Sequence, residues 1–591
     1  MPKSISEIQE LIDNFETHHR DLHTRMDDDY DLWRLKEETW LDRWSENITD
    51  NQPRVFVDTI IRTLEPARLN IQVRRLDKDG DKERKIENFA LSAFRGADDN
   101  LVDRLSPPLK EALLFWGGIR GFMAGRVLLY SDDEDNLIVD ILPYDPRFLA
   151  WGLDSKGVQW SAYTTWRDPS NIDLEYGGKV SPKVFTDKQG KKLGAIKVID
   201  FWDEKYNTVL VGKDAGTEIA QEEKHKLGRS STIVVPCGST PLIVGDTDGY
   251  MHIKNWGESL LAGGRGLFQT RSKLLSIMTE IAEKSRKPSA FAFVPDTRKK
   301  VSMPYGKGEV TSLPETAKVQ MVEPPEVAQT VYRTWEIIDQ AIQRGTLPHL
   351  WHGLTWKGQE WSGKGIERAL QGPETQFNPL LSALSKFYRL AILKMIDQFK
   401  LIKLEKKDFE WKVRGLDNRG REFLQVFKPE AMDGKYDIKA EFVSITPEEE
   451  ADNYAKAQMA KEWAPKRWIR EYLLKQQDPM GMDTDTLVEQ AEELSPKVRY
   501  YRVIQALIEE KREIEAKLMI TDFQQLLGQE ATQALQGRMA PPQEPAPQGP
   551  PMPGLPMPPQ PGQAFSGAVG GREAAAMPVG VKERLQSMFR R

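Results

Sequence analysis

The chain has 591 residues and one cysteine, Cys237. An internal disulfide is therefore excluded, which fits a protein made in a reducing cytoplasm. Long apolar runs are missing too: no stretch approaches the roughly 18–20 residues of a membrane span. Mean hydropathy is −0.55, so no membrane partner is expected. Met1-Pro2-Lys3-Ser4-Ile5 lacks the apolar core of a secretory leader, and none is expected. A strong excess of one charge is also lacking. The formal net charge of −6 excludes a polybasic, tight, non-specific binder of nucleic acid.

Catalytic signatures are scarce. No G-x-S-x-G occurs. Gly358-Gln359-Glu360-Trp361-Ser362-Gly363-Lys364-Gly365 matches G-x-x-x-x-G-K but puts glycine where Ser or Thr should bind magnesium. No buried strand precedes it, and it reads better as a glycine-hinged loop. His19 and His23 stand at i, i+4 on a helix, and His349 and His352 lie in a loop, without a cysteine or carboxylate set at metal-ligand spacing. Asp246-Thr247-Asp248-Gly249 resembles a calcium-loop fragment without its downstream glutamate and reads as a turn. No cofactor, metal or catalytic constellation is expected.

What the chain has is length, tryptophan and a distinctive order of elements. Single cores rarely grow past about 250–300 residues, so several domains are expected. Sixteen tryptophans imply large contacts between subunits as well as packing. The pattern from Glu258 to Lys403 reads helix, proline-punctuated β excursion, helix, Trp/Gly-rich loop, long helix. The first helix, about Glu258–Arg286, places Leu267, Arg271, Leu274, Leu275, Met278, Ile281 and Ala282 at helical spacing. Pro288 and Pro295 stop it, and Phe291–Val294 is a strand candidate. The second helix carries Val327, Val331, Trp335, Ile338 and Ile342 on one face, and Gly345 and Pro348 end it. The loop that follows repeats tryptophan every five residues, at Trp351, Trp356 and Trp361. The third helix, about Glu374–Lys403 and roughly 45 Å long, buries Phe377, Leu381, Leu384, Tyr388, Ala391, Met395 and Phe399. The first two helices, straddling a compact insert, are expected to need neighbouring copies, or a rod-like stalk, to cover their apolar faces. Between Glu258 and Val310 ten basic residues face five acidic ones, either a solvated basic surface or a partner or DNA face.

Elsewhere, residues 1 to about 46 read as polar helix with Leu11, Phe15, Leu22, Tyr30, Trp33, Trp40 and Trp44 at helical spacings. Val55–Leu64, Lys85–Leu105 and Leu109–Gly118 read as helices. Gly125–Tyr130 and Leu137–Leu142 read as a hairpin around an acidic turn, with further strands at Phe148–Gly152, Val158–Trp166, Ala195–Glu204 and Ser231–Pro236. Phe409/Trp411/Val413 and Ile438/Ala440/Phe442 alternate as half-buried strands should. Thr446-Pro447-Glu448-Glu449 is a strong helix start, and helices dominate to about Leu527. Half of Pro541–Gly562 is proline, so that stretch is expected to be extended and donor-poor, without a core.

This order of elements resembles the portal proteins of tailed double-stranded DNA phages, over about Val55 to Leu526. Asn255-Trp256-Gly257-Glu258-Ser259 through Pro288 is similar to the family's first stem helix. Ser362-Gly363-Lys364-Gly365-Ile366 is similar to the lead-in to its long wing helix, and Phe427 to Ile438 to its return strand. The resemblance implies an α+β fold laid out as an N-terminal helical segment (1–50), wing (51–257), first stem helix (258–287), clip (288–325), second stem helix (326–345), channel loop (346–363), long wing helix with return strands (364–446), crown (447–530) and disordered Pro-rich tail with a short basic end (531–591). It implies a homo-oligomeric ring of about twelve copies, at a capsid vertex in the virion and in the host cytoplasm during assembly. Implied partners are double-stranded DNA, the terminase large subunit, adaptor or head-completion proteins, and the major capsid or scaffolding protein. The ATP chemistry would belong to the terminase. A conduit needs no net positive charge, because each phosphate neutralised adds affinity and high affinity would arrest sliding. Stem packing would fall to Leu267, Leu274, Met278, Val331, Trp335 and Ile338. Clip docking would fall to Arg298, Lys299 and Lys300, and DNA contact to His349, Trp351, His352, Trp356, Lys357 and Trp361. Two alternatives stay open: a nucleotide-dependent packaging enzyme, for which the near-miss loop is the sole support, and a connector without a DNA channel.

Overall fold

A computed structural model describes residues 2–37, 47–75, 80–131, 136–176, 179–185, 194–212, 217–238, 253–286, 290–293, 318–321, 329–346, 378–402, 409–416, 422–434, 436–443 and 447–474, with scattered helical residues between 486 and 523. The chain divides into two units, Met1–Leu487 and Val488–Arg591. In the second, the rings of Tyr500 and Phe523 stack with centroids 6.3 Å apart. The first mixes helices and antiparallel sheets, an α+β fold.

Its N-terminal helices are α1 (Ile5–His18) and α2 (Arg20–Trp33). Ser4 caps α1 in a full capping box with Glu7. Then come α3 (Gln52–Leu64), β1 (Arg68–Arg75), α4 (Gly80–Asp103) and α5 (Leu109–Arg120). The hairpin of β2 (Phe122–Ser131) and β3 (Leu137–Tyr144) follows. A five-stranded antiparallel meander is built from β4 (Leu149–Asp154), β5 (Gly157–Arg167), β6 (Ile196–Trp202), β7 (Tyr206–Val211) and β8 (Glu218–Lys224). A short helix, α6 (Pro169–Tyr176), precedes β6, and β9 (Thr232–Pro236) returns to pair with β2.

Beyond lie α7 (Arg265–Arg286), β10 (Ala290–Phe293), β11 (Lys318–Met321), α8 (Gln329–Gly345) and α9 (Asn378–Ile402). The ribbon β12 (Trp411–Leu416) and β13 (Glu422–Phe427), the strand β14 (Tyr436–Val443), the helix α10 (Pro447–Ala460) and short helical turns at Lys466–Trp468 and Ile469–Leu473 follow. Strand β14 pairs antiparallel with β1, Arg68 opposite Val443 and Arg75 opposite Tyr436, so the two ends of the body close on each other.

The main core forms around α9. At 1.5 Å per residue its 25 residues span about 37 Å. Burial covers far more than one stripe: Leu380, Ala383, Phe387, Ile392 and Ile396 are inside as well as Leu384, Tyr388, Ala391, Met395 and Phe399. The ring of Phe399 lies 4.9 Å from that of Phe89 on α4, and Tyr388 lies 4.4 Å from Phe94 and 4.8 Å from Phe442 of β14. One face stays open, with Ser382, Lys386, Arg389 and Asp397 exposed, and the wide apolar remainder is enclosed.

One polar residue breaks that pattern for a backbone reason. Strand β9 covers β2 only from Phe122 to Arg126. Beyond it Gln398 of α9, itself buried, accepts from the Leu129 N–H at 2.8 Å and donates to the Val127 carbonyl at 2.8 Å. Its amide stands in for the missing strand. Gln398→Leu orphans a buried donor and acceptor at about 1–3 kcal/mol each. Chemical denaturation should show a loss of roughly 2–5 kcal/mol, and a neutral result would mean that water replaces the amide.

A second core joins α1 and α2 to the meander: Ile8, Ile12, Phe15, Leu22 and Met26 meet Trp151, Ala162, Phe201 and Leu210. His19 stacks on Phe15 with centroids 4.0 Å apart, and its Nδ1 lies 3.0 Å from the Phe15 carbonyl. His23 is buried, and burial together with the charges of Arg147, His19 and Arg120 pushes it down to about 3. An unfolded histidine titrates near 6.5. Between those values the unfolded chain binds a proton that the folded chain refuses, so stability rises with pH there. Replacement by His23→Gln should flatten the fall in unfolding midpoint between pH 6 and pH 4, by up to about 1.4 kcal/mol per pH unit. An unchanged acid limb would place the titration elsewhere.

Candidate functional site: a helical hairpin and its buried base

Helices α7 and α8 form an antiparallel hairpin. Gly263, just before α7, touches Gly345 at the end of α8; a Cβ on Gly263 would meet the Gly345 carbonyl oxygen at 3.1 Å. Further along, Arg271 of α7 pairs with Asp339 of α8 at 3.0 Å, and its guanidinium lies 4.7 Å from the Trp335 ring. Beyond the helices β10 and β11 pair antiparallel, Ala290 opposite Met321, so the β excursion leaves and returns as a ribbon.

The hairpin is rooted in the body. Leu261, Phe268, Ile338 and Ile342 are buried in the main core, and Leu267 and Leu274 pack against it half-buried. Met278, Val331 and Trp335 are half-buried further out. The basal halves of both helices thus find their apolar partners within the chain, contrary to the expectation that those faces wait for neighbouring copies. The outer surface of α8 does not: Tyr332 is 49% exposed and Ile337 is 66% exposed.

The first helix begins at Arg265, seven residues later than its periodicity suggests, because Glu258–Gly264 turns to meet the body. Gly121 (φ +81°) ends α5 and sits against Gly257 (φ +70°); a Cβ on Gly121 would fall 1.8 Å from the Gly257 carbonyl oxygen. Only glycine allows that left-handed, backbone-to-backbone contact.

Beside it lies a buried ionic cluster. Asp29 of α2 has no solvent-exposed side-chain surface, and it accepts from Ser259 Oγ at 2.8 Å and from Arg265 Nε and Nη2 at 2.5 and 2.9 Å. Burial opposes the Arg265 charge, but the Asp29 hydrogen bonds and charge outweigh it and hold the guanidinium above its ordinary value. Arg25, one turn before, donates to the Arg120 carbonyl at 2.9 Å. Burial pulls Arg25 below its ordinary value, against the pull of Asp29 and Glu258. Arg120 in turn forms a bidentate pair with Asp145, at 3.1 and 3.0 Å, and donates to Asp27. A third tether runs along the helix: Ser272 and Ser276 accept from the backbone N–H of Asp50 and Ile48, at 3.2 and 2.9 Å. Arg271 also pairs with Asp50 at 3.2 Å.

Periodicity pointed to Leu267, Leu274, Met278, Val331, Trp335 and Ile338, and the hairpin brings them together. It missed Asp29, Arg265, Ser272 and Ser276. Asp29 lies in the run Asp27-Asp28-Asp29, which reads as a solvated helix face; the i, i+4 serines were the visible signal. Arg265 and Arg271, counted among the basic excess, are spent on internal carboxylates. Arg298, Lys299 and Lys300, the loop from His349 to Trp361 and the near-miss 358–365 lie outside the described residues, as do Asp246 and Asp248. Among the described residues no group of three His, Cys, Asp or Glu is placed to hold a metal, and no helix is long and apolar enough to cross a membrane. Cys237 is buried, which pushes its thiol up to about 12. Lys394 is pushed down to about 8 by burial and then by Arg229, and its Nζ is held by the Ser230 carbonyl at 2.6 Å.

No protein-family model matches the chain, and no curated protein matches it.

Removing the central carboxylate leaves the buried Arg25 and the partly exposed Arg265 guanidinium groups without it. Breaking a buried pair from one side typically costs about 3–5 kcal/mol, so Asp29→Ala should lower the unfolding midpoint sharply. A change below about 1 kcal/mol, the range of an exposed pair, would show that the cluster does not hold the hairpin base.

Proposed function

We propose that this chain is the subunit of a phage portal: a ring at one capsid vertex that conducts double-stranded DNA during packaging and ejection. In this reading it is not an enzyme; the terminase hydrolyses ATP and docks, and this chain supplies the passage. The observation that carries the reading is the hairpin of α7 and α8, rooted in an α+β body at one end and continuing into the β10–β11 ribbon at the other. The body would be the wing, the hairpin the stem, and the insert bounded by the ribbon the clip.

The physical case for a ring lies in what the hairpin covers and leaves open. Its base is satisfied internally, while α8 presents Tyr332 and Ile337 outward on the same helix as Arg333, Glu336 and Arg344. A rigid rod that leaves these two apolar side chains to solvent on different sides of α8 suits repeated side-by-side contacts between identical copies, and heterologous contacts close into a ring when their rotation allows. Arg298, Lys299 and Lys300 would meet terminase or adaptor proteins. His349, Trp351, His352, Trp356, Lys357 and Trp361 would line the narrowest part of the channel, touching DNA weakly enough to let it slide.

Trp335 is a poor place to test the stem, because Arg271 would neutralise an introduced carboxylate there. Ile337 is the better one. Native mass spectrometry should find assemblies of about twelve copies for the wild type and a sharp loss of them for Ile337→Asp, with the subunit still folded by circular dichroism. Monomers only, at micromolar concentration, would contradict the proposal.

A further inference from the structure

A groove in the body borders the ionic cluster at Asp27 but includes no residue of the hairpin. It measures about 770 Å³, runs between α1–α2 and the meander, and is within the range of peptide- and ligand-sized sites. Its floor carries an aromatic ledge: Trp166 of β5, 55% exposed, meets Phe148 edge-on with ring centroids 5.2 Å apart. An exposed tryptophan ring in a concave site offers a flat face for stacking. The charged groups nearly cancel. Arg20 and Lys197 stand against Asp13 and Glu16, and Arg147 is already paired with Asp27 at 2.8 Å.

The sequence contains a segment with matching chemistry that the portal reading leaves without a role. Residues 541–562 carry one charge, Glu544, and eleven prolines. P-x-x-P recurs through it, at Pro542/Pro545, Pro547/Pro550, Pro550/Pro553, Pro553/Pro556 and Pro556/Pro559. That spacing puts a ring on one edge of a polyproline helix at every turn of three residues, the form that aromatic grooves take up. Proline contributes carbonyl acceptors and no N–H donor. The groove lining offers donors in Arg20 and Lys197 and the exposed ring of Trp166. A stretch of six residues would span about 19 Å in this form.

We propose that the groove binds the proline-rich segment 541–562 of a second copy of this chain. The assignment to a second copy rests on the oligomeric reading above, in which neighbouring copies hold such segments at high effective concentration. The segment then acts as a strap that adds contact between subunits. The ordering cost is low because each proline is already restricted in φ.

Two full-length chains are co-expressed. One carries a photoreactive benzoylphenylalanine in place of Glu16, at the groove edge, together with Leu555→Val as a mass marker in its own tail. The other is wild type at both positions. After irradiation and trypsin, position 16 should be joined to the 539–572 peptide bearing Leu555, which only the second copy can supply. Adding Trp166→Ala to the photoreactive chain, or Pro550→Ala with Pro553→Ala and Pro556→Ala to the wild-type chain, should lower that yield several-fold. Cross-links to the valine-marked tail alone, to the body alone, or insensitive to both sets of substitutions would overturn the proposal. Native mass spectrometry of the same sample separates the two readings: rings without the cross-link sink the strap and leave the portal standing, whereas the leucine-marked cross-link without rings does the reverse.

Discussion

A carboxylate with no access to water must be met by cations and donors or it will not stay charged. Asp29 is such a group, and its partners come from both sides of a structural joint. Arg25 belongs to the N-terminal helices, while Ser259 and Arg265 belong to the root of the hairpin. The same few residues therefore fix where α2 lies, where the chain turns after Gly257 and where α7 starts. Arg120 extends the cluster to Asp145 at the mouth of the meander. The hairpin's direction is set less by apolar packing, which tolerates sliding, than by this directional set of hydrogen bonds and the two glycine contacts beside it.

Outward from that joint the constraints thin out. Near the base, Phe268, Ile338 and Ile342 share the main core. Further along, Arg271 holds the two helices and residue 50 together through Asp339 and Asp50. Past that the helices keep half-buried faces, and α8 shows Tyr332 and Ile337 to solvent. A rod held firmly at one end and incompletely covered along its length is suited to lateral assembly. In the proposed portal, partners would then supply contacts that the lone chain lacks, and the rooted end would keep each rod at a common angle.

Much of the element order was legible because period and punctuation agreed. The β2–β3 hairpin, α9 and the alternation of Ile438, Ala440 and Phe442 each announce themselves within a short window. Strand β1 is quieter: Leu69, Ile71 and Val73 alternate, but arginines crowd both ends and its partner β14 lies some 370 residues on. Strand β8, Glu-Ile-Ala-Gln-Glu-Glu-Lys, is an edge strand whose charges face water, and composition alone calls it a loop. For the candidate site, the apolar positions of the hairpin could be read from spacing. Asp29 could not, because whether an acid on a helix is solvated or enclosed depends on what packs over it. Likewise Gln398 looks like one more polar break in an apolar helix, and only the short reach of β9 explains it.

The central claim is that copies of this chain close into a ring around a channel that admits duplex DNA, and electron microscopy of the purified protein viewed end-on tests it most directly. The portal reading predicts closed rings of about twelve subunits, with α7 and α8 of each copy standing along a central opening wide enough for the duplex. Isolated single subunits, open filaments, or a closed assembly with no axial passage would contradict it.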